Sequence, residues 1–219
     1  ISAVTGAATL AAAVGAVGVG VSIGVAGAYN VISNDIAAFI DNADNGVKTT
    51  GSGAITIEAK EAATINALTT AASFGAGFGL AGVAVSGAGA TATNIILTKT
   101  NAYVTDSKLV SSGDVVLKAS DTSTINAIVA ASSAAIAGGA AGVGVSFGAS
   151  VARNLIGWDL FGNKTPVQVQ AYVGNSSIQA GRDLTLTAET FETINATVLA
   201  GSVALSAGLA ADSASGAGA

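Results

Sequence analysis

The tripeptide Ile-Asn-Ala occurs at Ile65-Asn66-Ala67, Ile125-Asn126-Ala127 and Ile194-Asn195-Ala196, with a relaxed copy at Ile1-Ser2-Ala3. A signature returning every 60 to 69 residues restricts the chain to architectures made by repetition, in which each unit buries itself against its neighbours. Other segments keep the same register. Gly18-Val19-Gly20-Val21-Ser22, Gly82-Val83-Ala84-Val85-Ser86 and Gly142-Val143-Gly144-Val145-Ser146 correspond, and an asparagine follows each serine by eight residues, at Asn30, Asn94 and Asn154. Ala38-Phe39-Ile40, Ala102-Tyr103-Val104 and Ala171-Tyr172-Val173 correspond too, each followed by an alternating stretch ending at Ala59, Ala119 or Ala188. The chain therefore reads as a single repeat domain over 1–219, with units 1–64, 65–124, 125–193 and a partial unit 194–219. Extra length is confined to Asp41 to Ser52 and to Ile156 to Gln170, which holds the only Trp and the only Pro.

Each unit opens with a nearly charge-free run such as Ile65 to Leu97. A membrane-spanning helix is the competing reading of such a run. The periodicity argues against it: Val17, Val19, Val21, Ile23 and Val25 alternate with Gly18, Gly20, Ser22, Gly24 and Ala26. Period two is the mark of a strand, and glycine at every second position costs a helix ~1 kcal/mol each. Flanking Lys or Arg and interfacial aromatic belts are also missing. Gly75 to Gly79 and Gly138-Gly139 divide the run into two arms, as a hairpin or as a sharp corner between consecutive strands. A strand face made only of Gly, Ala and Ser lets another sheet approach closer than the usual ~10 Å. The later part of each unit alternates in short pieces separated by turn-forming segments such as Ser111-Ser112-Gly113-Asp114. The expected fold class is all-β: a parallel β-helix, or β-solenoid, of three and a third repeats with long Gly/Ala-rich apolar strands or hairpins.

Composition excludes much chemistry. Without His or Cys, the usual zinc sites, His-dependent triads, thiol nucleophiles and disulfides are unavailable. Eight basic residues against 13 acidic, a net charge of −5, cannot make the basic stripe that a phosphate backbone requires, so no nucleic-acid partner is expected. Aromatic residues are 5% of the chain and charged residues 10%, so burial must come from small aliphatic side chains. No charged leader precedes Ile1 and the chain has no Met, which reads as a processed product or an excerpt of something longer.

The pattern Val-Gly-Val-Ser, Asn eight residues on, Ala-Tyr-Val, then Gly-Asp-Val-x-Leu-x-Ala (Gly113 to Ala119) resembles the repeats of large bacterial surface and secreted proteins, the filamentous-haemagglutinin-like and leukotoxin-like adhesins. The resemblance covers nearly the whole chain. It implies a right-handed parallel β-helix, export to the cell exterior, and a role in adhesion or in extracellular fibres.

Asn66, Asn126 and Asn195 share one repeat position, and Asn30, Asn94 and Asn154 another. Stacked amides at equivalent positions of successive rungs can hydrogen-bond along the stack, so both sets are candidate structural ladders. Asp41-Asn42-Ala43-Asp44-Asn45-Gly46 is rich in oxygen, but calcium needs six to eight ligands and no suitably spaced glutamate follows. The segment reads as a solvated turn, with Asp41 and Asp44 the calcium candidates. Asn163, Asn175 and Asn195 begin glycosylation sequons. Glu58, Glu61, Asp121 and Glu189, placed along one outer face, would be the carboxylates available for glycosidase chemistry. An active site usually interrupts a repeat, and only Trp158-Asp159 in the long insertion does so.

The expected function is structural: a self-assembling extracellular fibre subunit, or a segment of a filamentous cell-surface adhesin, with no catalysis and no cofactor. Neither end carries a polar capping unit, and an exposed rung is a template for another strand. Ile1, Ser2 and Ala3 at one end and Ile194, Asn195 and Ala196 at the other are the expected assembly junction. The partner is then a second copy, head to tail, or a neighbouring repeat of a longer chain, with a host or neighbouring-cell surface as a further partner. A membrane-active toxin module is the alternative, and a polysaccharide-cleaving enzyme comes third.

Overall fold

Period-two alternation becomes extended backbone almost throughout the computed structural model, which describes residues 1–165 and 167–219. Pro166, part of the long insertion, lies outside the described residues. The first unit contributes β1 (Ser2–Val14), β2 (Val17–Asp41), β3 (Val47–Lys48) and β4 (Ile55–Glu61). The second contributes β5 (Thr64–Phe78), β6 (Ala81–Thr105), β7 (Lys108–Ser111) and β8 (Val115–Asp121). The third contributes β9 (Thr124–Gly138), β10 (Ala141–Ile156), β11 (Gln168–Gly174), β12 (Ser177–Ala180) and β13 (Leu184–Thr190). β14 (Thr193–Ala207) and β15 (Ala210–Gly218) begin the fourth.

The protein is all-β, and its named strands pair only in parallel. The first sheet runs β1-β5-β9-β14, the third β3-β7-β12 and the fourth β4-β8-β13. In the second sheet β6 pairs with β2 on one side and with β10 and β11 on the other, and β15 follows β10. Each strand thus lies beside its counterpart one unit away, and repeat positions coincide: Asn66 with Asn126, Asn126 with Asn195, Ser22 with Ser86, and Ser86 with Ser146. Parallel pairing across 60 or more residues is compatible with a β-solenoid.

The two arms do not form a hairpin. β5 and β6 belong to different sheets, and the bend at 79–80 passes the chain from one sheet to the other. Once there, the arms lie back to back at unusually short range. A Cβ on Gly77 would sit 2.1 Å from the Val83 carbonyl oxygen, and one on Gly20 would sit 2.1 Å from that of Ala76. Such positions admit only glycine without moving the facing sheet. The buried residues of this region are correspondingly small: Ala71, Ala88, Ala90, Ala92 and Ala131 in one cluster, Ala84, Ala135 and Ala137 in another. Hydroxyls cross the narrow gap, with Ser73 and Ser86 Oγ 2.6 Å apart and Ser133 and Ser146 Oγ 2.7 Å apart. In the first unit Ser22 donates to Thr9 at 2.9 Å. The arms therefore form a thin blade.

Beyond the blade the second sheet continues straight and faces the fourth across a thicker interior. Ile55, Ile57, Val104, Leu109, Val115 and Leu117 fill it. Larger side chains hold the sheets at an ordinary spacing here, so the thickness of the structure follows side-chain size along each strand. The long insertion leaves the second sheet between β10, whose Ile156 pairs with Ile96, and β11, whose Gln168 pairs with Lys99. It is pinched by an antiparallel bridge between Trp158 and Lys164.

Candidate functional site

The two asparagine sets lie on opposite sides of their sheets. Asn30, Asn94 and Asn154 point inward: Asn30 Nδ2 donates to Asn94 Oδ1 at 2.8 Å, and Asn94 Nδ2 to Asn154 Oδ1 at 2.8 Å. Asn94 is fully buried. Asn66, Asn126 and Asn195 point outward from the first sheet, where Asn126 donates to Asn66 at 2.8 Å and Asn195 to Asn126 at 2.9 Å. Beside the outer ladder runs an isoleucine column. Ile65 and Ile125 are fully buried, whereas Ile1 and Ile194 at its ends are 51% and 48% exposed. The Ile1 ammonium donates to the Thr64 carbonyl at 2.7 Å, and Ser2 and Ala3 pair with Asn66 and Ala67. Ile194 and Ala196 pair with Ile125 and Ala127. The residues expected at the junction thus lie on the outermost strands of the first sheet.

Two further columns escaped the sequence reading. Phe39, Tyr103 and Tyr172 stack with ring centroids 5.1 Å apart and planes 6° from parallel. Their equivalence was legible in the aligned Ala-Phe-Ile and Ala-Tyr-Val triplets. At the corner after these strands, Asn42, Asp106 and Asn175 adopt positive φ of 52°, 46° and 44°. Asn and Asp tolerate that conformation better than other side chains, and Asn175 donates to Asp106. Their shared place after Asp41, Thr105 and Gly174 was the available signal.

The blade turns its large side chains to solvent. Val17, Val19, Val21, Ile23 and Val25 are between 53% and 70% exposed, because their small alternates face the opposing sheet. Val143, Val145 and Phe147 continue these rows on β10, and Val4, Leu10, Val14, Phe78, Leu199, Val203 and Leu205 are exposed on the first sheet. Both outer surfaces of the blade are mainly apolar, with Thr70 and Ser132 on the first sheet and Thr91 and Asp212 on the second as polar exceptions.

The carboxylates do not share a face, since period two sends Glu58 and Glu61 to opposite sides of β4. Glu58 is exposed opposite Lys118, while Glu61 and Asp121 are buried side by side in the register of β4 and β8. Glu189 is exposed. Asp121 accepts from Thr98 at 2.5 Å and Ser123 at 2.6 Å, and Glu61 accepts from Asn34 at 3.2 Å. Asp41 accepts from Thr105 at 2.7 Å and Asn42 at 2.8 Å, and Asp44 borders a shallow corner depression with Asp106 and Lys108. Of the sequon asparagines, Asn175 and Asn195 are held in the contacts already described. Asn163 donates to Asp159 Oδ2 at 2.8 Å inside the insertion.

That bond, with backbone N–H groups of Asn163, Phe161 and Gly162, holds the Asp159 carboxyl below the usual carboxylate range. A lowered value means that these bonds favour the folded loop above the carboxyl's unfolded value and are lost as pH falls through the folded one. Asn163→Ala is expected to move the Asp159 titration back up, read from its side-chain carboxyl carbon shift by NMR. The Lys164 ammonium lies 5.5 Å from the Trp158 ring centre, a cation–π contact that adds to the closure of the loop.

A shallow groove of about 660 Å³ crosses the outer surface of the first sheet, lined by Gly6, Ala8, Thr70, Ala72, Ser132 and Gly201 among others. None of its lining side chains titrates. No group of three or more metal-ligating side chains lies together among the described residues. Comparison with known proteins finds no matching family model, curated protein or solved structure.

Proposed function

We propose that the chain is a β-solenoid of three and a third repeats serving as a structural element of the cell exterior, either a self-assembling fibre subunit or a stretch of a filamentous adhesin. One observation carries this reading: the repeating contacts stop unfilled at both ends of the stack. β1 to β4 each pair on one side only, as do β11 to β15. The inner amide ladder leaves Asn30 Oδ1 and Asn154 Nδ2 without ladder partners, and the isoleucine column ends half exposed at Ile1 and Ile194. Further rungs of the same kind, one stack end meeting the other, satisfy them, whether they come from another copy or from a neighbouring repeat of a longer chain.

Electron microscopy of the purified chain at rising concentration tests the fibre form. Filaments with the ~4.8 Å rung spacing along their axis are expected, and uniformly single particles at high concentration count against it. The exposed apolar blade favours a second reading, a membrane-active module. No helix of the described residues is long and apolar enough to cross a membrane, so such a module would have to act through its strands. Release of dye from liposomes would support that reading, whereas a fibre former leaves vesicles intact.

A further inference from the structure

We infer that Glu61 and Asp121 are the carboxylate ligands of a calcium ion held inside the stack, between its first two rungs. The two residues are register partners on β4 and β8, and both are buried, Glu61 at 5% exposure and Asp121 at 0%. Two carboxylates this close and out of water repel each other, and a buried charge is stable only when it is paired or bound to a metal. No cationic side chain compensates them. Lys60 and Lys118 occupy outward positions of the same two strands, and Lys99 is exposed on β6. The one ion pair among the described residues, Arg182 with Asp114, lies at the surface.

The hydrogen bonds leave lone pairs for an ion. Glu61 Oε1 accepts from Asn34, but Glu61 Oε2 is buried with no partner. Asp121 takes one bond on each oxygen, from Thr98 on Oδ2 and from Ser123 on Oδ1, and each oxygen can accept a second. Thr100 is a separate sign. It follows Thr98 in the inward row of β6, is fully buried, and its hydroxyl also has no partner. Orphaned oxygens are rare in protein interiors, and an ion is one of the few things that resolves them. The Asn34 side chain is exposed where it meets Glu61, which gives solvent ions a route to the pair.

Donor type and spacing select the ion. Carboxylate, hydroxyl and amide oxygens suit a hard cation, and no nitrogen or sulfur ligand is present to favour zinc or copper. Calcium completes its shell with neutral oxygens, so two carboxylates suffice and a third acid is not needed. Neighbouring strands lie ~4.8 Å apart, so an ion midway between oxygens of successive rungs stands about 2.4 Å from each. That distance falls within the range of about 2.3–2.6 Å for calcium and exceeds the ~2.1 Å of magnesium, which also retains waters. The corner bearing Asp41 and Asp44 is a poorer site. Both Asp41 oxygens are taken by Thr105 and Asn42, and Lys108 stands beside Asp44.

Thermal denaturation and equilibrium dialysis of the full chain, stripped with EDTA, test the inference. Calcium chloride at about one hundred times its dissociation constant is expected to raise the melting midpoint by about 5–10 °C, with about one calcium bound per chain, while magnesium chloride does much less. Glu61→Gln and Asp121→Asn each remove one charged ligand and are expected to abolish calcium binding in dialysis at a temperature where their far-ultraviolet spectra match the parent. Asp41→Asn/Asp44→Asn is expected to keep both the binding and the shift. A parent indifferent to calcium overturns the inference, as does a shift reproduced by sodium chloride at equal ionic strength. Calcium retained by either folded interior variant, or lost in the corner variant, overturns it too.

Discussion

Gly77→Val is expected to be among the most damaging single changes in this protein, lowering stability by about 3 kcal/mol or more, at the upper end of overpacking effects. The Cβ alone would stand 2.1 Å from the Val83 carbonyl oxygen and 2.7 Å from that of Gly18. Both obstacles are backbone of the facing sheet, so relief requires the blade to open. Opening it lengthens the crossing hydroxyl contacts as well, including the 2.6 Å pair of Ser73 and Ser86. For a chain of this size the loss corresponds to a melting midpoint lower by roughly 6–12 °C, read by thermal denaturation. Gly201→Ala is the control. Nothing lies within 4 Å of its added Cβ, so a change of no more than about 0.5 kcal/mol is expected, as at an ordinary surface site. Equal effects at the two glycines would refute the close approach of the sheets.

Asn94→Ala is expected to cost about 2–4 kcal/mol, because it leaves the buried Asn30 and the half-buried Asn154 unpaired as well as removing contacts. Asn94 is fully buried and bonds to both neighbours in the inner ladder. Its removal strands the Asn30 amide donor and the Asn154 carbonyl acceptor. Asn126 holds the equivalent middle place in the outer ladder, also with two amide bonds. There water can replace what is lost, and Asn126→Ala is expected to cost no more than about 1 kcal/mol. Urea denaturation of the two variants measures the contrast. The same residue type, repeat logic and bond count thus yield different energies because one ladder is dry.

Which residues would stack on which was legible beforehand. Ile-Asn-Ala, Val-Gly-Val-Ser and the asparagine eight residues on fixed the register, and the strands pair in that register. Gly and Ala at alternate positions foretold two sheets in close contact. Whether Gly75 to Gly79 made a hairpin or a corner was not legible, since both need the same flexible residues. The corner prevails because each arm finds its hydrogen-bond partners in the next unit and not in its sibling. The carboxylates were misplaced for a related reason: a common outer face was expected for Glu58 and Glu61, yet three residues apart on a strand means opposite faces.

The alternation of large and small side chains, the unit length and the sites of insertion are properties of the chain alone, and they determined that it would be built of parallel strands one unit apart. Alternation defines two faces of a strand, and the small one was expected to meet another sheet, but it does not say what becomes of the large one. Only the tertiary structure decided that Val19, Val21 and Ile23 meet solvent with no further layer of the chain over them, and that Asn94 lies inside while Asn126 lies out. The physical reason is distance. Glycine and serine faces meet closely enough for backbone and hydroxyls to touch, and a valine face cannot, so the larger side chains are left facing outward.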